Sequence, residues 1–227
     1  MIVHPKFIFV HCQKTGGSFT EQFLNSIYDD CRDYRPKHIG MHEFIMEVAN
    51  SETSLTLDWI RRSIKFGCVR NPWAWYVSWW YANSNNKLPS TGMFPDVFTE
   101  ENINDFGTFL RNIMTIDYGN MSYIEFPRIV ENDFGVYSYR YRRCFYSLTG
   151  DLLMDHIIRT DNINLQLATI LDLHNAEYNR LCEFPKKHVG SHKPYWEYYE
   201  DDELIELVRY KDRFIIDNHG FKFGEDY

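Results

Sequence analysis

No two cysteines in this 227-residue chain are spaced as a C-x-x-C pair. The five present, Cys12, Cys31, Cys68, Cys144 and Cys182, are odd in number and irregularly placed. That argues for reduced thiols rather than a disulfide framework, and against a zinc cluster. Long hydrophobic runs are missing too. The most apolar stretch, Trp73 to Ala82, is interrupted by Ser78 and is far shorter than the ~20 residues that span a bilayer. The opening Met1-Ile2-Val3-His4-Pro5-Lys6 lacks the cationic and then apolar pattern of a secretory leader. An excess of positive charge is also absent. With 24 basic and 32 acidic residues the formal charge is −8, which excludes a general binder of nucleic acid or anionic membranes but allows a local basic pocket. There are no internal repeats and no low-complexity linker. These absences lead us to expect a cytoplasmic protein with no membrane span, no nucleic-acid partner and no metal.

What is present is an ordinary globular balance, 44 % hydrophobic and 25 % charged, with enough length to bury a core without staples. We expect one domain over residues 1–227. Phe7-Ile8-Phe9-Val10 is a continuous apolar run, the pattern of a strand buried on both faces. Glycines follow, and then a helical stripe over Ser18 to Tyr28. Helices are also predicted at Met41–Ala49 and Leu55–Ser63. Lys65 to Val69 reads as a second buried strand. Asn71-Pro72 then supplies a cap residue and a first-turn proline for an aromatic helix reaching about Ala82. A further helix is expected at Ile103–Ile116, capped by Asn104 or Asp105. A strand is expected at His156–Arg159, a helix at Asn162–Leu173, and a terminal helix at Asp201–Asn218. Asp29 to Gly40, Asn83 to Phe98 and Cys182 to Tyr195 read as loops, and Gly119 to Tyr146 fits either helix or strand. Strands alternating with helices give the class α/β, with a mainly parallel central sheet flanked by helices.

Two segments carry chemistry. In His11-Cys12-Gln13-Lys14-Thr15-Gly16-Gly17-Ser18-Phe19, a glycine loop joins a buried strand to a helix N-terminus. Such a loop presents backbone N–H groups at the positive end of the helix dipole. Lys14 adds a charge, and Thr15 and Ser18 add hydroxyls. This is chemistry for a phosphate, although a plain strand-to-helix turn with an exposed lysine has the same letters. It is not a Walker loop, because the lysine precedes the glycines and no G-x-x-x-x-G-K-[ST] occurs. In the second segment, Arg70 ends a strand where α/β proteins bind ligands, and Ser78 lies two turns into the following helix. Arg70 suits a bidentate phosphate contact or a structural role at the sheet end. Trp73, Trp75, Trp79 and Trp80 fit core packing as well as a substrate surface.

Together the segments resemble the PAPS-dependent sulfotransferase family, in the carbohydrate-type branch whose loop reads H-x-P-K-T-G-G-[TS]. Arg70-Asn71-Pro72 with Ser78 is similar to that family's R-[ND]-P-x5-S. Lys37-His38-Ile39 resembles a K-H-hydrophobic element between the two motifs. Asp155 to Asn162 resembles a strand ending R-x-E-N, with Asp161 in place of the glutamate. Pro194-Tyr195 through Phe221-Lys222-Phe223 is similar to the closing helix and G-[YF]-x-F. Gln13 replaces the usual proline, which predicts a less rigid loop. The resemblance implies a three-layer P-loop-like fold and transfer of the sulfuryl group of 3′-phosphoadenosine 5′-phosphosulfate (PAPS). The acceptor would be a hydroxyl or amine of a glycan or small molecule. Lys14, Thr15, Gly16, Gly17, Ser18, Phe19, Arg70 and Ser78 would bind the donor, with Lys14 also catalytic. Residues 83–150 match nothing specific and would hold acceptor selection.

A hydroxyl acceptor needs a base, and histidine titrates near neutrality. Of the nine histidines, the resemblance favours His38, with His42 as runner-up and His11 as packing beside the loop. Lys187, His188, Ser191, His192 and Lys193 form a cationic loop suited to covering a phosphate or simply to being solvated. The rival readings are a nucleotide kinase or other P-loop NTPase, and a nucleotide-binding protein without turnover.

Overall fold

The computed structural model describes residues 1–51, 55–86, 102, 104–115, 133–174, 176–185 and 192–225. In chain order the elements are β1 (Ile2–His4), β2 (Phe7–Val10), α1 (Gly17–Ile27), β3 (Arg32–Asp33), α2 (Met41–Asn50), α3 (Leu57–Arg62), β4 (Ile64–Val69) and α4 (Pro72–Asn86). Next come α5 (Phe106–Met114), α6 (Val136–Phe145), β5 (His156–Arg159), α7 (Ile163–Leu171), α8 (Ala176–Glu183), α9 (Asp202–Lys211) and α10 (Arg213–His219). They fall into two compact units. Among the described residues one holds 1–70 and 140–185, and the other holds 71–115, 133–139 and 192–225.

The first unit is built on a sheet of order β3-β1-β2-β4-β5. Its centre is parallel: Phe9 lies opposite Phe66 across β2 and β4, and Cys68 opposite Ile158 across β4 and β5. On one side β1 and β3 extend it antiparallel, β1 pairing with both β2 and the edge strand β3. The α/β class therefore holds, with the parallel strands in the middle. The apolar runs have a direct cause. Phe7, Phe9, Phe66, Cys68 and Ile158 pack with Phe23 and Leu24 of α1, Ile163 and Leu167 of α7, and Leu181 of α8. The alternate residues Ile8, Val10 and Val69 are buried as well, and the Phe145 ring lies over Gly67 where a Cβ would collide with it. A strand covered on both faces has no polar side to show in its sequence.

The second unit is an aromatic helical core. Trp73, Trp75 and Trp79 of α4 are buried. Trp75 stacks on Tyr137 at 4.5 Å, and Trp79 meets Phe109 edge-on. The tryptophans are core. α4 extends beyond the expected Ala82, through part of the expected loop. Its cap is as expected: Asn71 Oδ1 accepts from the Trp73 N–H at 3.0 Å, and Pro72 opens the helix. Asp105 caps α5 by accepting from the Thr108 N–H at 2.9 Å.

Several expectations need correction. The single terminal helix is two, α9 and α10, parted at Asp212. That carboxyl is buried, accepting from the Tyr76 hydroxyl at 2.7 Å and the Ser138 N–H at 2.8 Å. Burial pushes its pKa up to about 6 against those hydrogen bonds. α8 occupies the start of the stretch read as loop from Cys182. β3 lies inside the stretch Asp29 to Gly40 that read as loop, and β1 precedes the first strand expected. The ambiguous Tyr-rich stretch is helical over α6. Residues 87–101, 103 and 116–132 of the expected 83–150 insertion, and Lys187, His188 and Ser191 of the cationic loop, lie outside the described residues.

Candidate anion-binding site

The loop between β2 and α1 is shaped by positive φ at two residues, Lys14 (65°) and Gly16 (80°). Gly16 is the N-cap of α1 and offers no side chain to it, so the first-turn N–H groups receive no cap from that residue. Gly17 is required by packing: a Cβ there would sit 2.1 Å from the His11 ring. Thr15 is fully buried, and its hydroxyl donates to the Cys12 carbonyl at 2.8 Å. The hydroxyl expected to face a phosphate is thus engaged by the backbone. Ser18 is half-buried in the first turn of α1. The Phe19 ring packs edge-on against Phe184.

Lys14 is half-buried, and among the described residues no carboxylate pairs with it. Desolvation, and then the charge of Arg70, lower its pKa to about 8. The two cations lie close: an Arg70 Nη1 donates to the Lys14 carbonyl at 3.5 Å. A partly desolvated ammonium beside a guanidinium, at a helix N-terminus, is stabilised by an anion placed between them. Thr160 fastens the loop to the sheet, with its Oγ1 2.8 Å from the Val69 carbonyl and 3.2 Å from that of Thr15. Asp161 forms a two-pronged pair with Arg159, at 3.0 Å from Nε and 2.5 Å from Nη2. The Gln13 side chain, in place of the usual proline, accepts from Arg140 Nη1 at 2.5 Å. The predicted loss of rigidity there is met by a tether.

His38 lies beside this loop. Its Nδ1 is 3.0 Å from the His11 carbonyl, and the two rings meet edge-on at 4.7 Å. Nδ1 therefore carries the proton and donates, which leaves the lone pair on Nε2. Although much of its surface is exposed, desolvation on the His11 side lowers its pKa to about 4; the hydrogen bond to the His11 carbonyl opposes this, and the charges of His11, Lys37 and Arg140 add to it. The near-neutral titration expected of an ordinary histidine is thus displaced downward. His42 is half-buried in the first turn of α2. Ser78 belongs to the second unit, half-buried on α4. Sequence reading missed Glu21, Arg140 and Thr160, because each reaches the loop from a distant part of the chain or from within a helix.

A family model described as "Sulfotransferase family" matches residues 2–200. The chain belongs to the sulfotransferase family. No curated protein and no solved structure matches it. In this sulfotransferase the cationic loop follows β2, the first strand of the parallel centre of the sheet. Among the described residues, no group of three His, Cys, Asp or Glu side chains could hold a metal ion. No helix among them is long and apolar enough to cross a membrane.

Proposed function

We propose that this sulfotransferase uses 3′-phosphoadenosine 5′-phosphosulfate as donor and sulfates a hydroxyl or amine of a carbohydrate or small-metabolite acceptor. The observation that carries the reading is Lys14: a half-buried cation with no carboxylate partner among the described residues, beside Arg70 and the start of α1. These residues fit the donor. The loop N–H groups of residues 15–19 and Lys14 receive the 5′-phosphosulfate, and Arg70 receives the 3′-phosphate.

The bound donor supplies an electrophilic sulfur on a phosphate leaving group. Lys14 and the loop N–H groups stabilise the charge that develops on that phosphate as its bond to sulfur breaks. His38 Nε2 takes the proton of the acceptor hydroxyl as the new S–O bond forms. The fixed loop aligns acceptor, sulfur and leaving oxygen, and positioning carries most of the catalysis in such loose displacements. The products are the sulfated acceptor and 3′,5′-adenosine bisphosphate.

The test is an acceptor screen with sulfur-labelled PAPS, run in the presence of a chelator. Label transfer to a glycan or hydroxylated metabolite supports the reading. Label transfer abolished by the chelator contradicts the metal-free mechanism, and donor binding without transfer to any acceptor points to a nucleotide-binding protein.

A further inference from the structure

Glu21 belongs to neither motif, yet it joins most of the polar structure around His38. It sits on α1 one turn after Ser18, with its side chain only 12 % exposed. Both carboxylate oxygens are used. Oε1 accepts from His11 Nδ1 at 2.8 Å, and Oε2 is 2.7 Å from Lys37 Nζ. Burial would raise its pKa, but His11 and Lys37 overcome this and hold it at about 2. Glu21 is therefore an anion at any working pH.

Both of these partners lead to His38, and a third, the Met1 ammonium 3.9 Å from Oε1, donates to the Lys37 carbonyl at 2.6 Å. Lys37 is the neighbour of His38 in the chain. His11 supplies the carbonyl that binds His38 Nδ1 and the ring that His38 packs against. The His11 ring is also the one that fills the space at Gly17. Beyond His38 the segment is fastened again: the Gly40 N–H donates to Glu43 at 3.0 Å, and Glu43 pairs with Arg143 at 2.9 Å. The charged and titratable groups facing His38 are His11 from the end of β2, Lys37 beside it and Arg140 from α6. Without Glu21, the Lys37 end of this segment loses its ion pair, and His11 loses the acceptor that fixes its ring.

We propose that Glu21 is a positioning residue for the reaction, holding the Lys37–His38 segment against the end of β2 so that Nδ1 of His38 is occupied and Nε2 is presented as the proton acceptor. This rests on the reading of His38 as the base.

The experiment combines two measurements on Glu21→Ala and, as a milder break of the ion pair alone, Lys37→Met. The first is an NMR titration of the His38 imidazole in the ligand-free protein, which needs no activity. The second compares kcat with the thermal shift given by 3′,5′-adenosine bisphosphate. In Glu21→Ala the His38 pKa rises toward the ordinary ~6.5 as the ring moves out into solvent, since burial, the largest cause of its low value, outweighs the hydrogen bond to the His11 carbonyl that holds it up. There, kcat falls about 10- to 100-fold through lost alignment, and the bisphosphate shift is kept. Lys37→Met moves both quantities the same way by less, and it carries the test if Glu21→Ala does not fold. An unchanged His38 titration in the folded variants overturns the inference, whatever the activity. A moved titration with unchanged turnover overturns His38 as the base, and Glu21's part in the reaction with it, while the donor site stands on its own bisphosphate binding.

Discussion

The two units treat buried charge in opposite ways. In the second, Asp212 is closed off by the Tyr76 hydroxyl and the Ser138 N–H, inside a core where Trp75 stacks on Tyr137. In the first, Lys14 sits half-buried beside a like charge, on a residue held at positive φ, with no carboxylate against it among the described residues. A satisfied buried carboxyl serves the fold. A crowded cation beside a helix N-terminus is a cost to the fold that an anionic ligand offsets. The contrast is what singles out Lys14 as the group proposed to act on a ligand.

The largest effect that would test this contrast is expected at Lys14. Lys14→Ala should lower kcat by about 10²–10³-fold, the loss typical of one oxyanion-hole donor, while the melting temperature stays level or rises. Steady-state kinetics beside a thermal melt checks both halves, and a variant that loses stability in step with activity would erase the distinction. Asp212→Ala should do the reverse. It strands a buried N–H and a hydroxyl, at about 2–4 kcal/mol of stability, and leaves turnover per folded molecule unchanged. Denaturant unfolding together with active-site titration reads this.

The structure also says why some of this was legible in sequence and some was not. The parallel strands and the glycine loop stood out because both-face burial and strand-loop-helix order leave marks within ten or so residues. β1 and β3 did not, being three and two residues long; pairing with a neighbour defines them, not a local pattern. The break at Asp212 was invisible for the same reason: its partners Tyr76 and Ser138 lie 136 and 74 residues away in sequence. Of the residues proposed for the site, Lys14 and His38 could be picked from motifs. Glu21 could not, since an acidic residue on an amphipathic helix is ordinarily a solvated one. The low pKa of His38 depends on ring packing against His11, which no spacing announces.

The two units should also differ in how they respond to pH. Asp212 has its folded pKa raised, to about 6, above an unfolded value of ~3.9. Its contribution is fully present below the unfolded pKa and fades as pH climbs through the folded one, so between about pH 4 and 6 it makes the protein less stable as pH rises. Asp212→Asn should remove that slope, of order 2–3 kcal/mol across the window, seen as converging melting curves. The site responds in the opposite manner. In the proposed mechanism Lys14 works protonated and His38 works neutral. The free-enzyme profile of kcat/KM should therefore fall above about pH 8 and hold on the acid side well below the ordinary histidine range, toward about pH 4. A limb near 6.5 would place the base elsewhere, with His42 next to be tested.

The smallest expected effect is at Gln13. Gln13→Ala cuts the tether to Arg140 and should raise the donor KM about fivefold, the worth of one net hydrogen bond of ~1 kcal/mol. Gln13→Pro should leave KM near wild type if rigidity of the loop is what matters.

The central claim is that the cationic loop of the first unit is a site for a doubly phosphorylated nucleotide, and ligand-induced thermal stabilisation tests it most directly. With a chelator present, 3′,5′-adenosine bisphosphate should raise the melting temperature of the wild-type protein in a concentration-dependent way. AMP, lacking the 3′-phosphate, should raise it much less, and Lys14→Ala should diminish the bisphosphate shift. Equal shifts from the two nucleotides, or an undiminished shift in Lys14→Ala, would contradict the account.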